Sequence, residues 1–461
     1  MTTADTTAPA PTPAPTAPQA PSPRRRVPRE RLREIEAKVR AGERLDLADG
    51  CDLFASNDIH FLGRLADSVK RRHNGDTAFY NVNRHINPTN ICVLTNSCKF
   101  CAFAARPQDS HAYAMSHQEI YDRAGKAWAD GATELHLVGG LHPKLPFEWF
   151  CEMLSGLRTR YPRLHRKAFT AIEILWFARM TKKPVDWVLR TLMDAGLDSM
   201  PGGGAETFDE AVRKQIARGK EKAHEWLDVH RTAHGLGLKS NATLLYGHIE
   251  TEAHRVDHFL RLRALQDETG GFQTFIPLEF HPDNTHLSHL PRATGLDALK
   301  TIAVARLMLD NFPHIKAFWI MVGVKLAAVS LRYGADDIDG TVTEERITHA
   351  AGADTPQSLS IAEIRRLIEE SGCTPVERDT LYRKVNRVGR RWWVDGEPEP
   401  LDEPTSLPAA AGASVGPIEL PQAPARGSEF LDHSHAHEHE HGDDAPRLAF
   451  SESAPSVRLT T

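Results

Sequence analysis

The chain of 461 residues has no run of roughly eighteen or more apolar residues, so a membrane-spanning helix is not expected. No period of roughly 20–50 residues recurs, which argues against a solenoid or propeller. Formal net charge is slight, −5, and part of it comes from an acidic C-terminal tail, so a general nucleic-acid binder is not expected either. Cysteine is scarce: six residues, three of them on one short loop, do not make a secreted disulfide framework. The N-terminus, 1–23, lacks the apolar core of a signal peptide. These absences together lead us to expect a cytoplasmic protein.

What is present divides by composition. With 41% hydrophobic and 25% charged residues, the chain suits one large soluble domain with appendages, or two domains. Residues 1–24 are a Pro/Ala/Thr-rich tract expected to be disordered, and 25–77 read as an N-terminal segment of two short helices. Residues 78–395 are the working region. Residues 396–461 form a second tract expected to be disordered, carrying His433, His435, His437, His439 and His441. Alternating imidazoles of this kind bind Zn²⁺, Ni²⁺ or Cu²⁺, so a metal-storage or metallochaperone protein stands as the non-enzyme alternative.

The working region alternates short apolar strands, at 78–86, 132–140, 166–174, 197–206, 238–248, 272–281 and 314–321, with longer amphipathic helices. That pattern predicts right-handed β-α-β crossovers on a parallel sheet. The expected fold class is α/β, a full or partial (β/α) barrel, with a Rossmann-like open sheet second. Barrel sites gather where strands end and βα loops begin. The residues there are Asn87–Cys101, Gly139 with Gly140, Glu173, Gly202–Glu206, Tyr246–His248, Glu279 and His281. Asn81, Asn83, His85 and Asn87 recur with period two along the first strand, while Arg84 has the opposite parity. A polar stripe is costly to bury unpartnered, so a polar lumen or a ligand is expected there; an edge strand with one wet face is the alternative.

Cys92, Cys98 and Cys101 are spaced C-x5-C-x2-C. Three thiolates can serve zinc, a redox pair or an iron–sulfur cluster. Structural zinc needs a fourth protein ligand, and no second C-x2-C pair exists. A redox pair leaves Cys92 unused, whereas a three-cysteine cluster keeps one iron open for chemistry. Cys51, Cys151 and Cys373 are scattered and read as small buried hydrophobes.

The loop, with Phe100 just before its third cysteine, resembles that of the radical S-adenosylmethionine (SAM) superfamily. The usual spacing there is C-x3-C-x2-C; here the first cysteine sits two residues earlier and Leu94 takes its place, an extension that costs little loop-closure entropy. "ELHLVGG" resembles the strand and Gly-Gly turn at which those enzymes hold SAM. Ordered blocks extend the likeness over roughly residues 30–390: "GGLHPKLPFEWF", "KAFTAIEI", "AGLDSMPGGGAETFDEAVR", "SNATLLYGHIET", "RLRALQDETGGFQTFIPLEFHPDNT" and "GVKLAAVSLRYGADDIDGTV" look like the aminofutalosine synthase family. The cyclic dehypoxanthine futalosine synthases, which share "GGLHP", "PGGGAE" and "LQDETGGF", are the alternative within the superfamily.

The resemblance implies a transferase that joins the 5′-deoxyadenosyl radical of SAM to 3-[(1-carboxyvinyl)oxy]benzoate. The product would be 6-amino-6-deoxyfutalosine, with release of methionine and bicarbonate/CO2, in menaquinone biosynthesis. It implies Cys92, Cys98 and Cys101 as ligands of a [4Fe-4S] cluster, and Gly139 and Gly140 at the methionine end of SAM. Glu173 would meet the SAM amino group or ribose, with Gly202, Gly203 and Glu206 against adenosine or substrate. His248, Glu279 and His281, with His85, Tyr246 and Glu173, are candidates for substrate and proton handling, and a cationic group is expected for the substrate's two carboxylates. A one-electron donor such as flavodoxin or ferredoxin is expected, with no nucleic-acid or membrane partner; a homodimer is compatible. "ADDIDGT", 335–341, is expected to cap a helix rather than bind metal.

Overall fold

The computed structural model describes residues 27–400; the first tract and the His-rich stretch 433–441 lie outside the described residues. Three helices, not the expected two, precede the first strand: α1 (Arg29–Ala41), α2 (Leu47–Ala55) and α3 (Ile59–Asn74). The second expected helix breaks at Ser56 because Asp58 caps a new one, its carboxylate accepting from the Phe61 N–H at 2.9 Å. Among the described residues no helix is long and apolar enough to cross a membrane.

The expected first strand is also two. β1 (Thr77–Asn81) and β2 (Asn83–Ile86) part at Val82 and join different sheets. From β2 onward strands and helices alternate: α4 (His117–Ala129), β3 (Glu134–Leu137), α5 (Phe147–Arg160) and β4 (His165–Ala168). Next come α6 (Ala171–Thr181), α7 (Val185–Ala195), β5 (Ser199–Met200), α8 (Glu210–Ile216), α9 (Ala223–Gly235) and β6 (Lys239–Tyr246). The alternation ends with α10 (Glu252–Thr269), β7 (Phe272–Glu279), α11 (Gly295–Met308) and β8 (His314–Ile315). β2 to β8 form one seven-stranded sheet in sequential order, and every pairing is parallel. This is the partial barrel that the strand–helix rhythm predicted.

Helices start where capping chemistry allows. Ser116 and Glu119 form a reciprocal capping box on α4, and Thr294 caps α11. α11 is buried from Ala298 to Met308, because α2 and α3 cover the side that would otherwise face solvent. The aromatic wedge Phe147, Phe150, Phe169 and Phe177 locks α5 and α6 together, each ring worth about 1.5–3 kcal/mol of burial.

After β8 come α12 (Trp319–Val322), α13 (Val324–Ser330), β9 (Asp337–Gly340), α14 (Ile347–Ala350), α15 (Ile361–Glu370), β10 (Thr374–Glu377), and the hairpin β11 (Val385–Val388) and β12 (Arg391–Val394). β1, β9 and β10 make a parallel three-stranded sheet, with β1 central. The segment around β9 meets both edges of the arc. On the β8 side Ala317 N–H donates to Asp337 O at 2.8 Å; on the β2 side His85 N–H donates to Thr343 O at 3.0 Å. Gly340 permits the approach, since a Cβ there would lie 2.1 Å from the Asn81 carbonyl oxygen. The acidic "ADDIDGT" is therefore not a helix cap. It is the strand that closes the gap, and ion pairs explain its aspartates. Fully buried Asp336 accepts from Arg306 Nη2, His314 Nδ1 and Asn74 Nδ2, each at 2.6 Å, and from Ile315 N–H at 2.8 Å.

Replacing Asp336 by Ala strands the buried Arg306 guanidinium. We expect a loss of about 3–5 kcal/mol, read from the denaturant midpoint at unchanged slope. A loss below about 1 kcal/mol would show that the closing strand is held by other means.

Candidate active site

The register of the sheet carries side chains of one parity inward. His85, His136 and Lys167 are Cα partners across β2, β3 and β4, and all three line a central cavity of about 330 Å³. Asn241, Thr243 and Leu245 of β6 and Ile276 and Leu278 of β7 line it further round. The two histidine rings stack at 4.5 Å, and burial holds both below the usual imidazole range. Lys167 pairs with Glu134 at 2.6 Å, and Lys316, just beyond β8, with Asp339 at 3.2 Å. The polar stripe thus has separate uses. Asn83 Nδ2 donates to Asp339 Oδ1 and Asn87 Nδ2 to Val138 O, tethering neighbouring segments, while His85 faces the lumen. Arg84 points away, to Glu344 at 3.0 Å.

Cys92, Cys98 and Cys101 all line this cavity. Their loop is held by backbone bonds on both flanks: Cys92 N–H to Ala105 O at 3.0 Å, Val93 N–H to Leu141 O at 3.1 Å, and Lys99 N–H to Ile216 O at 2.7 Å. Within the added length Leu94 is buried in one apolar cluster with Leu141, Ile172 and Ile216. Gly140 lets β3 end against the loop: a Cβ there would lie 2.3 Å from Ile91 O. At Gly139 the distance to Thr89 O would be 3.0 Å. Both glycines line the cavity, and their close backbone approach is to the cysteine loop.

Burial pushes the Cys98 thiol up to about 12 and raises Cys92 and Cys101 as well, with the nearby Lys220 ammonium opposing the rise. Free, these groups are thiols; a metal that binds here must displace their protons. Among the described residues no three or more His, Cys, Asp or Glu groups converge on one point as a single ion requires. Three thiols on one cavity, with no fourth cysteine among the described residues that line it, suit a multi-iron cluster with an open position better than structural zinc.

Glu173 lies on the first turn of α6, not at the end of a strand. Its Oε2 accepts from the Thr170 N–H (2.7 Å) and hydroxyl (2.8 Å), and Oε1 from the Gly139 N–H at 3.2 Å. Burial raises it to about 7 against those bonds. It reaches the cavity all the same, so capping and ligand-facing positions coincide. Gly202, Gly203 and Glu206 also line the cavity. A Cβ on Gly202 would lie 2.7 Å from Asn241 O, so this glycine serves the close passage of β5 beside β6. Buried Arg213 pins the turn, donating to Ala205 O (2.5 Å) and Thr207 O (2.9 Å). Glu206, at φ 45°, pairs with Lys220, whose ammonium also sits 5.3 Å from the Phe100 ring.

Glu279 and His281 line the opposite wall. Burial raises Glu279 to about 7, and the Tyr246 hydroxyl donates to its Oε2 at 3.4 Å. His281 Nε2 donates to Met321 O at 3.0 Å. His248 does not join them. Its Nε2 is taken by Leu245 O (3.0 Å) and its Nδ1 faces Ile249 N–H and Glu250, so the ring is used locally and lines no part of the cavity. Tyr246 is likewise off the lining, under the Arg255 guanidinium at 5.1 Å. Sequence reasoning missed His136, Lys167, Lys220 and Lys316. The available signal was parity: once His85 faces inward, its register partners in β3 and β4 must too.

Comparison with known proteins agrees with this geometry. Residues 86–262 match the radical SAM superfamily, and 269–389 match the CofH/MqnC C-terminal region. The chain is 47% identical over 359 residues to the aminodeoxyfutalosine synthase of Thermus thermophilus, covering 77% of this chain and 96% of that one. It is 38% identical over 358 residues to the cyclic dehypoxanthine futalosine synthase of Streptomyces coelicolor, covering 77% and 89%. Among solved structures, methylornithine synthase superposes with a TM-score of 0.60 at 18% identity, over 74% of this chain and 97% of that one, a likeness of fold.

A Cβ at position 140 must displace the cysteine loop. Gly140→Ala is expected to keep its far-ultraviolet circular dichroism while taking up less than about half the wild-type iron and sulfide on anaerobic reconstitution. Full loading would mean the loop and the glycine turn are not mechanically linked.

Proposed function

Because this chain belongs to the aminodeoxyfutalosine synthase family of radical SAM enzymes, we propose that it joins the 5′-deoxyadenosyl group of SAM to 3-[(1-carboxyvinyl)oxy]benzoate. The product is 6-amino-6-deoxyfutalosine, with methionine and bicarbonate/CO2 released, a step of menaquinone biosynthesis. The observation that carries the reading is the single cavity onto which the three thiols, Glu173 and the 201–206 turn all open.

Cys92, Cys98 and Cys101, as thiolates, would hold a [4Fe-4S] cluster at this cavity, which when bound would supply the electron for reductive cleavage of SAM. Glu173, when ionised, accepts hydrogen bonds from the SAM amino group or ribose. The 201–206 turn, fixed by Arg213, offers a backbone surface to the adenosine. Lys167 and Lys316 are the cations for the substrate's carboxylates: each ammonium has three donors, and the paired carboxylate leaves donors to spare. His85 and His136, held neutral, are hydrogen-bonding partners that add no charge. Glu279, His281 and the apolar residues of β6 and β7 close the other wall and shield a radical from water. A dedicated one-electron donor primes the cycle. A metal-carrier role would rest on 433–441, outside the described residues, and on nothing in the cavity.

Anaerobic reconstitution followed by dithionite, SAM and the enolpyruvyl benzoate is expected to yield a species with the mass of aminodeoxyfutalosine. Methionine and 5′-deoxyadenosine alone would mean a different substrate. The pH dependence of SAM binding tests Glu173 separately. Its raised value means the carboxyl is protonated below about 7 and ionised above. Wild-type affinity relative to Glu173→Gln should therefore rise roughly tenfold from pH 6 to pH 8, measured by equilibrium dialysis. A flat ratio would remove Glu173 from the SAM site.

A further inference from the structure

We propose that Lys70 and Cys373 form an oxidative modification site, at which dioxygen inserts one oxygen atom between the lysine nitrogen and the cysteine sulfur. Neither residue lines the central cavity, and the inference stands whatever that cavity binds. Lys70 lies near the end of α3, and Cys373 immediately precedes β10. The chain path brings them together. α3 leads through Gly75 and Asp76 into β1, and β10 pairs with β1 from its first residue, Thr77 against Thr374. Thr374 N–H donates to Asp76 O at 2.8 Å, which carries Cys373 back along the end of the helix. There Lys70 Nζ stands 3.2 Å from Cys373 Sγ.

The surroundings set this contact apart. Lys70 is fully buried and makes no ion pair among the described residues; its ammonium donates to Leu331 O, also at 3.2 Å, and to the sulfur. The lysines that line the cavity, Lys167, Lys220 and Lys316, each meet a carboxylate instead. An ammonium buried without an anion is costly. Cys373 is thus more than the small buried hydrophobe that its isolation in the sequence suggests, and among the described residues no other cysteine sulfur accepts from a lysine. The path from solvent is short. Cys373 is 6% exposed and sits between exposed Gly372 and exposed Thr374. Outside its chain neighbours, the nearest atom to a Cβ on Gly372 would be Arg332 Nη1 at 4.0 Å, so that position is open. A small uncharged oxidant has little protein to cross.

In the step the O–O bond of dioxygen breaks. One oxygen atom forms bonds to Nζ and Sγ; the other leaves as water, taking the thiol hydrogen and one hydrogen from the nitrogen. The extra proton of the ammonium passes to solvent. Nitrogen and sulfur give two electrons each, and dioxygen accepts all four. The product is a neutral N–O–S bridge, so oxidation removes the buried charge that no carboxylate meets. Two molecules of dithiothreitol, each closing to its cyclic disulfide, return the four electrons and release amine, thiol and water. The bridge links positions 303 apart in the chain and fastens α3 to the base of β10, in the sheet whose other edge strand, β9, closes the arc. A cross-link over so long a loop stabilises mainly by restricting the unfolded chain.

The test starts from full-length protein purified anaerobically. One portion is held in air-saturated buffer, and both are alkylated, digested with trypsin without reductant and mapped by tandem mass spectrometry. We expect peptides 65–71 and 367–378 to appear joined after air, at their summed mass plus one oxygen and minus two hydrogens. The joined species is absent from the anaerobic portion, separates with dithiothreitol, and is lost in Lys70→Arg and in Cys373→Ser. The unfolding midpoint of air-treated wild type is expected to lie about 5 °C above that of the same sample after dithiothreitol, a difference missing in Lys70→Arg. Cys373 found only as thiol, sulfinate or disulfide after air would overturn the proposal. So would joined peptides without the added oxygen, the signature of a direct N–S bond. A midpoint difference that persists in Lys70→Arg would overturn the fastening. The wild-type peptide map needs no variant, so it decides the matter even where a substitution misfolds.

Discussion

Burying charge inside a parallel arc of strands requires partners for each cation, and three of the carboxylates that serve come from the segment around β9. Asp336 serves Arg306 and His314, Asp337 serves Arg378 and Tyr382, and Asp339 serves Lys316. Lys167 takes its partner, Glu134, from the arc itself, as Lys220 takes Glu206 and Arg255 takes Glu250. Burial alone would raise Asp337, yet Arg378 and Lys316 hold it below the ordinary carboxylate range. Such pairs add little net stability compared with apolar packing, but breaking one leaves an uncompensated buried charge. The C-terminal region is thereby tied to the lumen: it closes the gap between β2 and β8, and it supplies the counter-charge that lets Lys316 stand at the wall.

The opposite constraint operates at the cysteine loop. There the surroundings are apolar, the thiols are pushed up, and Lys220 is the cation that opposes the rise. Among the described residues, backbone bonds and Lys220 offset that rise only in part. The loop is nevertheless fixed, by Ala105 and Leu141 on one flank and Ile216 on the other, and by a glycine turn with no room for a Cβ. Preorganised geometry with unfavourable charge is what a site looks like when the missing positive charge is a cluster of iron.

The βα rhythm, the cysteine loop and the glycine turns were legible in the sequence because residue type and spacing alone carry them. Other features were misread for reasons that are physical. "KAFTAIEI" reads as a strand on its apolar and β-branched residues, yet Thr170 and Glu173 stand at helix-start spacing and α6 begins between them. "ADDIDG" is expected to cap a helix on the family resemblance, yet it is a strand, its aspartates paired with Arg306, Arg378 and Lys316 against their low strand propensity. His248 occupies a strand end, but a strand-end position does not set where a ring turns, and Glu250 turns it aside. Lysine in mid-strand suggests a wet face; only the register that aligns Lys167 with His136 and His85 shows it facing inward.

The central claim is that the C-x5-C-x2-C loop holds a cluster by three thiolates and leaves one iron open to SAM. Mössbauer spectroscopy of protein reconstituted with iron-57 addresses it directly. The account predicts a cubane spectrum in which one iron site shifts on addition of SAM while the others stay put. A spectrum that SAM does not change, or one of a smaller cluster, would contradict it.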